Sequence, residues 1–212
     1  METILKKYPS TPHLPISKGR QFDDTSVEDY SNFVGREVVI TEKMDGENAS
    51  LYRDHYHARS LDSRHHPSRD WIKSFWGAHR FSVPEAWRLC GENLYARHSI
   101  GYDALPSYFM LFSVWDQHNY SVSWDDVTSM ADDMGILTVP VLYRGEFDLE
   151  ELKRISRTMD LNAKEGFVIR NADSFHYDDF SKNMGKFVRP AHVQSSSHWM
   201  FQEIKPNGLL RT

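Results

Sequence analysis

One stretch constrains this chain more than any other: an apolar run that stops on a lysine and then reverses through a glycine. Residues 37–54 read EVVITEKMDGENASLYRD. Two runs of strand character, 37–43 and 49–54, flank MDGEN, a turn composition that predicts a β-hairpin. Period-two alternation puts Val39, Thr41 and Lys43 on one strand face, so the lysine amine can enter a cleft lined by that face. Gly46 permits a sharp turn and a close approach of backbone to a ligand.

The remaining chain reads as short strands mixed with a few helices. HYHARS continues as a third strand, AWRLCGENLY predicts a strand running to Glu92, and YFMLFSVWD (108–116) predicts one buried on both faces. KEGFVIRNA and GKFVRPAHV predict two more around a loop. SRDWIKSFWGAHRF has helical spacing with Ser68 as N-cap. SWDDVTSMADDMGI reads as a helix capped near Ser123 and ended by Gly135, and DLEELKRISRTMD as another. Residues 8–33 are polar and proline-dotted, an ordered arm. The pattern favours an α+β fold of antiparallel sheets flanked by helices, and no Walker or Rossmann signature competes with it.

Charge narrows the function. The net charge of -5 argues against coating nucleic acid through bulk charge. A local groove is still open: residues 56–80, YHARSLDSRHHPSRDWIKSFWGAHR, interleave arginines and histidines with Trp71, Phe75 and Trp76, the mixture that binds phosphates and bases. A solvated helix-and-loop surface would have the same composition. Lone Cys90, no apolar run of membrane length and no apolar leader in METILKKYPSTPHLP point to a cytoplasmic protein. His98, His118, His176, His192 and His198 show no zinc spacing.

Five elements stand in a fixed order: KMDGEN (43–48), ARS (58–60), GENLYA (91–96), FSVWD (112–116), and the pair EGFVIR (165–170) and KFVR (186–189). A lone K-x-D-G recurs by chance; the ordered set does not. It resembles the covalent nucleotidyltransferase superfamily of ATP-dependent polynucleotide ligases and RNA capping enzymes. Within it the likeness is to ATP-dependent RNA ligases, in particular the compact group related to the second RNA ligase of bacteriophage T4. The resemblance spans roughly residues 37 to 190.

That resemblance implies a nucleotidyltransferase domain with Lys43 forming a lysyl-AMP bond. Asp45 would face the ribose and nucleophile, Arg59 would contact ribose or phosphate, and Glu92 would accept from ribose hydroxyls. Phe112 would stack on adenine, and Glu165 would hold the metal through its water shell. Glu42 and Gly46 join the nucleotide-binding set. Lys186 would neutralise charge on the α-phosphate, a preorganised stabilisation of the kind that dominates many rate enhancements. The commoner pattern places two lysines around a single residue, whereas position 188 is Val. Arg189, Arg170 or Lys182 would then supply the second cation.

The implied cofactors are ATP and Mg²⁺ or Mn²⁺, and the implied partners are RNA ends with 5′-phosphate and 3′-hydroxyl, with end-healing enzymes alongside. Arg64, His65, His66 and Arg69 are the candidate RNA contacts. The expected organisation is one monomeric domain over 1–212 without a C-terminal OB-fold, carrying an arm (about 1–35) and a His/Arg-rich insert (about 56–80). A small DNA ligase, a capping-type guanylyltransferase and an inactive RNA-binding module are the alternative readings.

Overall fold

The computed structural model describes residues 4–20, 24–190 and 203–210, so His192 and His198 lie outside the described residues. β-Branched Val38, Val39 and Ile40 build β1 (Glu37–Lys43), and β2 (Glu47–Tyr52) and β3 (Tyr56–Ala58) follow. Next come α1 (Asp70–His79), β4 (Arg88–Asn93), β5 (Phe109–Trp115) and β6 (Tyr120–Ser121). Helix α2 (Trp124–Met134) starts where Ser123 Oγ accepts from the Asp126 N–H, carries Asp125 and Asp126 in its first turn, and ends at Gly135. The chain continues through β7 (Val141–Glu146), α3 (Leu149–Thr158) capped by Asp148, β8 (Gly166–Asn171), β9 (Phe175–His176), α4 (Phe180–Asn183) and β10 (Met184–Val188).

The strands form two sheets, β10-β8-β1-β7 and β3-β2-β4-β5-β6-β9, and every pairing within them is antiparallel. The α+β expectation holds. In the first sheet one face, with Val38, Ile40, Phe167, Ile169 and Phe187, packs on Leu152 and Ile155 of α3 and on Leu14 and Phe33 of the arm. In the second, Leu51, Leu89 and Leu111 share a core with Ile72 of α1 and Val127 and Ala131 of α2. With those faces covered by helices and arm, the opposite faces remain to enclose the site.

Two expectations are corrected. Residues 37–54 do not form a hairpin. Both edges of β1 are occupied, by β7 and β8, so β2 has no edge to join and pairs with β3 and β4 in the other sheet. The MDGEN turn is therefore a crossing between sheets. It presses on β4, where a Cβ at Gly46 would stand 2.5 Å from the Asn93 carbonyl oxygen. Nor does Ser68 cap α1. It is buried in a 3-10 turn, Pro67–Arg69, begun by His66, and the α-helix opens at Asp70 without a side-chain cap. Strand β7 had not been read from the sequence at all.

Candidate active site

The end of β1 and the start of β8 meet in register, with Lys43 opposite Gly166 and Glu42 opposite Phe167. Gly166 adopts φ 155°, and a Cβ there would run into the Phe187 carbonyl, so glycine is needed for β10 to lie this close. Two ion pairs cross at this junction: Lys43 Nζ donates to Glu165 Oε2 at 2.6 Å, and Lys164 pairs with Glu42. Lys43 opens onto a cavity of about 770 Å³ between the two sheets.

Glu42, Gly46, Arg59, Arg64, Glu92, Phe112, Arg170 and Lys186 also line that cavity. Glu92 stands beside the crossing turn and accepts from the Gly46 N–H at 3.2 Å. Phe112 is the extra residue of a β-bulge, because Cys90 pairs with Ser113 and Gly91 with Leu111, skipping it. Such a bulge re-aims one side chain out of the strand's alternation. Tyr8 of the arm meets the Phe112 ring edge-on with centroids 5.1 Å apart. Lys186 is opposite Val168 on β10, and both its backbone groups are held by the arm, its N–H by Pro12 O and its carbonyl by Leu14 N–H.

The electrostatics follow from three acids, Glu165, Glu92 and Asp45, around one amine. Burial pushes the Lys43 ammonium toward losing its proton, but the charges of Glu165 and Glu92 outweigh it and hold the pKa above the ordinary lysine value. Burial carries Glu92 up to about 8; Lys43 opposes this, and the carboxylates of Glu165 and Asp45 add to it. Lys186 is pushed down, first by burial, with Lys43 and Arg59 adding their repulsion. Arg170 is lowered to about 10 by burial. Carboxylate oxygens are the hard donors that a divalent cation of the Mg²⁺ or Mn²⁺ type takes, but no group of three or more His, Cys, Asp or Glu among the described residues is placed to hold one.

A model of the RNA ligase family matches residues 36–188, the span that contributes Lys43, Glu92, Phe112, Glu165 and Lys186. The chain belongs to the RNA ligase family. No curated protein matches its sequence. Among solved structures it is similar to Naegleria gruberi RNA ligase with PPi, at 19% identity over 76% of this chain and 52% of that one, TM-score 0.52. It is also similar to a mutant of that ligase with AMP and Mn (17% identity, 92% and 59% covered, TM-score 0.57) and to an archaeal ATP-dependent RNA ligase (15% identity, 89% and 49% covered, TM-score 0.60). At these identities the likeness is one of fold, and this RNA ligase family member spans about half the length of the first structures it matches.

Several expected site residues sit differently in this chain. Asp45 does not line the cavity: its carboxylate accepts from Ser99 Oγ (2.7 Å) and the Ile100 N–H (2.6 Å), fixing the turn. Arg69 is not a free phosphate contact. Its guanidinium forks onto Glu47 and donates to the Arg64 carbonyl, buried, because the planar fork finds a bidentate partner within the fold. His65 is tied to Asp70 and His66 to Ser68, and neither lines the cavity. Arg189 is buried and donates to the Leu161 carbonyl, and Lys182 pairs with Asp179 at the surface. Of the cations named for the second phosphate contact, only Arg170 faces the cavity, although it also donates to the Val122 and Asn171 carbonyls. Missed altogether were the arm residues Lys7–Thr11, Trp124 and Met184, which wall the cavity from segments whose sequence gives no sign of a place in the site.

Proposed function

We propose that this chain is an ATP-dependent RNA ligase whose nucleophile is Lys43. The observation that carries the reading is one amine, at the end of a strand and beside an acid, opening onto a cavity that also gathers Glu92, Phe112, Arg59 and Lys186. In the first step the neutral Lys43 amine attacks the α-phosphorus of ATP. A P–N bond forms, the α–β P–O bond breaks, pyrophosphate leaves and the amine gives up its proton. AMP then passes to an RNA 5′-phosphate, and a 3′-hydroxyl attacks that activated end, releasing AMP and sealing the strand.

Phe112 supports the base and Glu92 the ribose, while Lys186, Arg59 and Arg170 neutralise phosphate charge. Glu165 would hold a divalent ion, which when bound would supply further positive charge to the triphosphate. The arm serves as cavity wall within a single nucleotidyltransferase domain. Arg64, on the cavity rim, remains the candidate for the RNA end. The reading also places the protein in a reducing compartment, consistent with lone, buried Cys90; no helix of the described residues is long and apolar enough to cross a membrane.

Incubation with ATP and Mg²⁺ or Mn²⁺, followed by intact mass, tests the reading. The wild type gains one AMP and Lys43→Ala gains none. An unmodified wild type, or an equal adduct on Lys43→Ala, overturns it. GTP in place of ATP separates out a guanylyltransferase, and nicked DNA against RNA ends separates out a DNA ligase.

A further inference from the structure

The crossing turn that follows Lys43 is not held by a hairpin partner, so other contacts must fix it. They come from residues 99–102, a stretch without regular structure. Ser99 Oγ and the Ile100 N–H donate to the Asp45 carboxylate, and the Asp45 N–H donates to the Tyr102 hydroxyl at 2.9 Å. Lys43 is paired with Gly166 on the β1 side, and Asp45 stands two residues beyond it, so this loop sets the chain's position on the other side of the amine.

The loop is fastened in turn by the carboxyl-terminal stretch 205–210. Bridges join Ala96 to Pro206 and Leu105 to Leu209. At the centre is Asn207, 3% exposed. Its Oδ1 accepts the Tyr102 N–H at 2.9 Å, and its Nδ2 donates to the Leu94 carbonyl at 2.8 Å. Its backbone N–H donates to the Tyr95 carbonyl, and its own carbonyl accepts from the Tyr108 hydroxyl at 2.7 Å. A buried side-chain amide with each end paired to backbone acts as a substitute strand partner, satisfying groups the loop cannot satisfy alone.

We infer that Asn207 is a positioning residue for Lys43, acting through Tyr102 and the Asp45 backbone to hold the nucleophile in line for lysyl-AMP formation. The inference rests on the ligase reading above. A displacement on the order of 1 Å at a reacting atom can cost about 100-fold in rate, and the relay from Asn207 to the turn is only two hydrogen bonds long. The effect falls on the chemical step, because neither Asn207 nor Tyr102 lines the cavity.

Single-turnover formation of the AMP adduct, with ATP varied at fixed Mg²⁺, tests this on the full chain. Asn207→Ala and Tyr102→Phe should each slow the rate constant about 10-fold while half-saturation by ATP moves less than about 2-fold. The double variant should be within about 3-fold of the slower single, since both break one relay. Circular dichroism melts give the folded fraction for each. Wild-type rates in both singles, effects that multiply in the double, or losses that vanish once corrected for folded fraction overturn the inference. Should Asn207→Ala fail to fold, Tyr102→Phe, which deletes a single oxygen, decides alone. A wild type that forms no adduct overturns the ligase reading instead.

Discussion

Lys43–Glu165 and Arg69–Glu47 are both shielded ion pairs in the wall of one cavity, yet their surroundings differ. The Lys43 side chain is 27% exposed and makes one contact at 2.6 Å; Arg69 is 9% exposed, forks onto both oxygens of Glu47 and also donates to the Arg64 carbonyl. A flexible point charge with a single contact can exchange its partner, whereas a planar fork with three acceptors cannot without leaving a buried charge. The first pair is therefore suited to chemistry and the second to holding the insert against β2, although the two look alike as residues in the sequence.

Replacement separates the two most sharply. Lys43→Met should abolish the AMP adduct completely and cost about 3–5 kcal/mol of stability, because it strands the Glu165 carboxylate, whose side chain is 7% exposed. Glu47→Ala should cost about 3–5 kcal/mol by stranding Arg69, with adduct formation lost only in proportion to unfolded protein. Urea melts beside adduct assays would break the contrast if Glu47→Ala lost the adduct beyond its unfolded fraction.

A second effect is pH-dependent. Burial, with Glu165 and Asp45 nearby and Lys43 opposing, keeps the Glu92 carboxyl protonated in the fold up to about 8, against an unfolded value of 4.5. The folded chain binds the extra proton between these values, so the stability of the ligand-free protein falls as pH rises from about 4.5 to about 8, then levels. Glu92→Gln should remove most of that slope; denaturation midpoints across the range that keep it would assign the slope elsewhere. Smallest is the effect at the rim: Arg64→Glu should weaken RNA sealing about 3- to 10-fold and leave the AMP adduct intact, since only its backbone is tied to Arg69. Equal losses in both steps would place Arg64 among the nucleotide contacts.

These contrasts also mark what the sequence could reveal. Lys43, Glu92, Phe112 and Lys186 were legible as a set, because short motifs in fixed order survive without knowledge of partners, and strand alternation showed which face Lys43 takes. Partner choice was not legible. Arg69 reads as a free cation beside two histidines, and only the fold brings Glu47 to it from 22 residues away. The hairpin misreading has the same origin, since local turn chemistry cannot know that later strands will fill both edges of β1. Strand β7 escaped notice because it lies at the edge of its sheet with mostly exposed or half-exposed residues, so its pattern is weak. Asn207 gave no signal, being one polar residue in a short tail.

The sheet order also sets a timetable for folding. Strands β2 to β5 find one another within a short span of chain, whereas β1 must wait for β7 and β8, and Lys43 meets Glu165 across 122 residues. Closing long loops comes late, after local pairings have reduced the entropy still to be lost. A chain emerging from the ribosome thus exposes its lysine long before the acid beside it exists, and the cavity proposed to load AMP is complete only with the last strands.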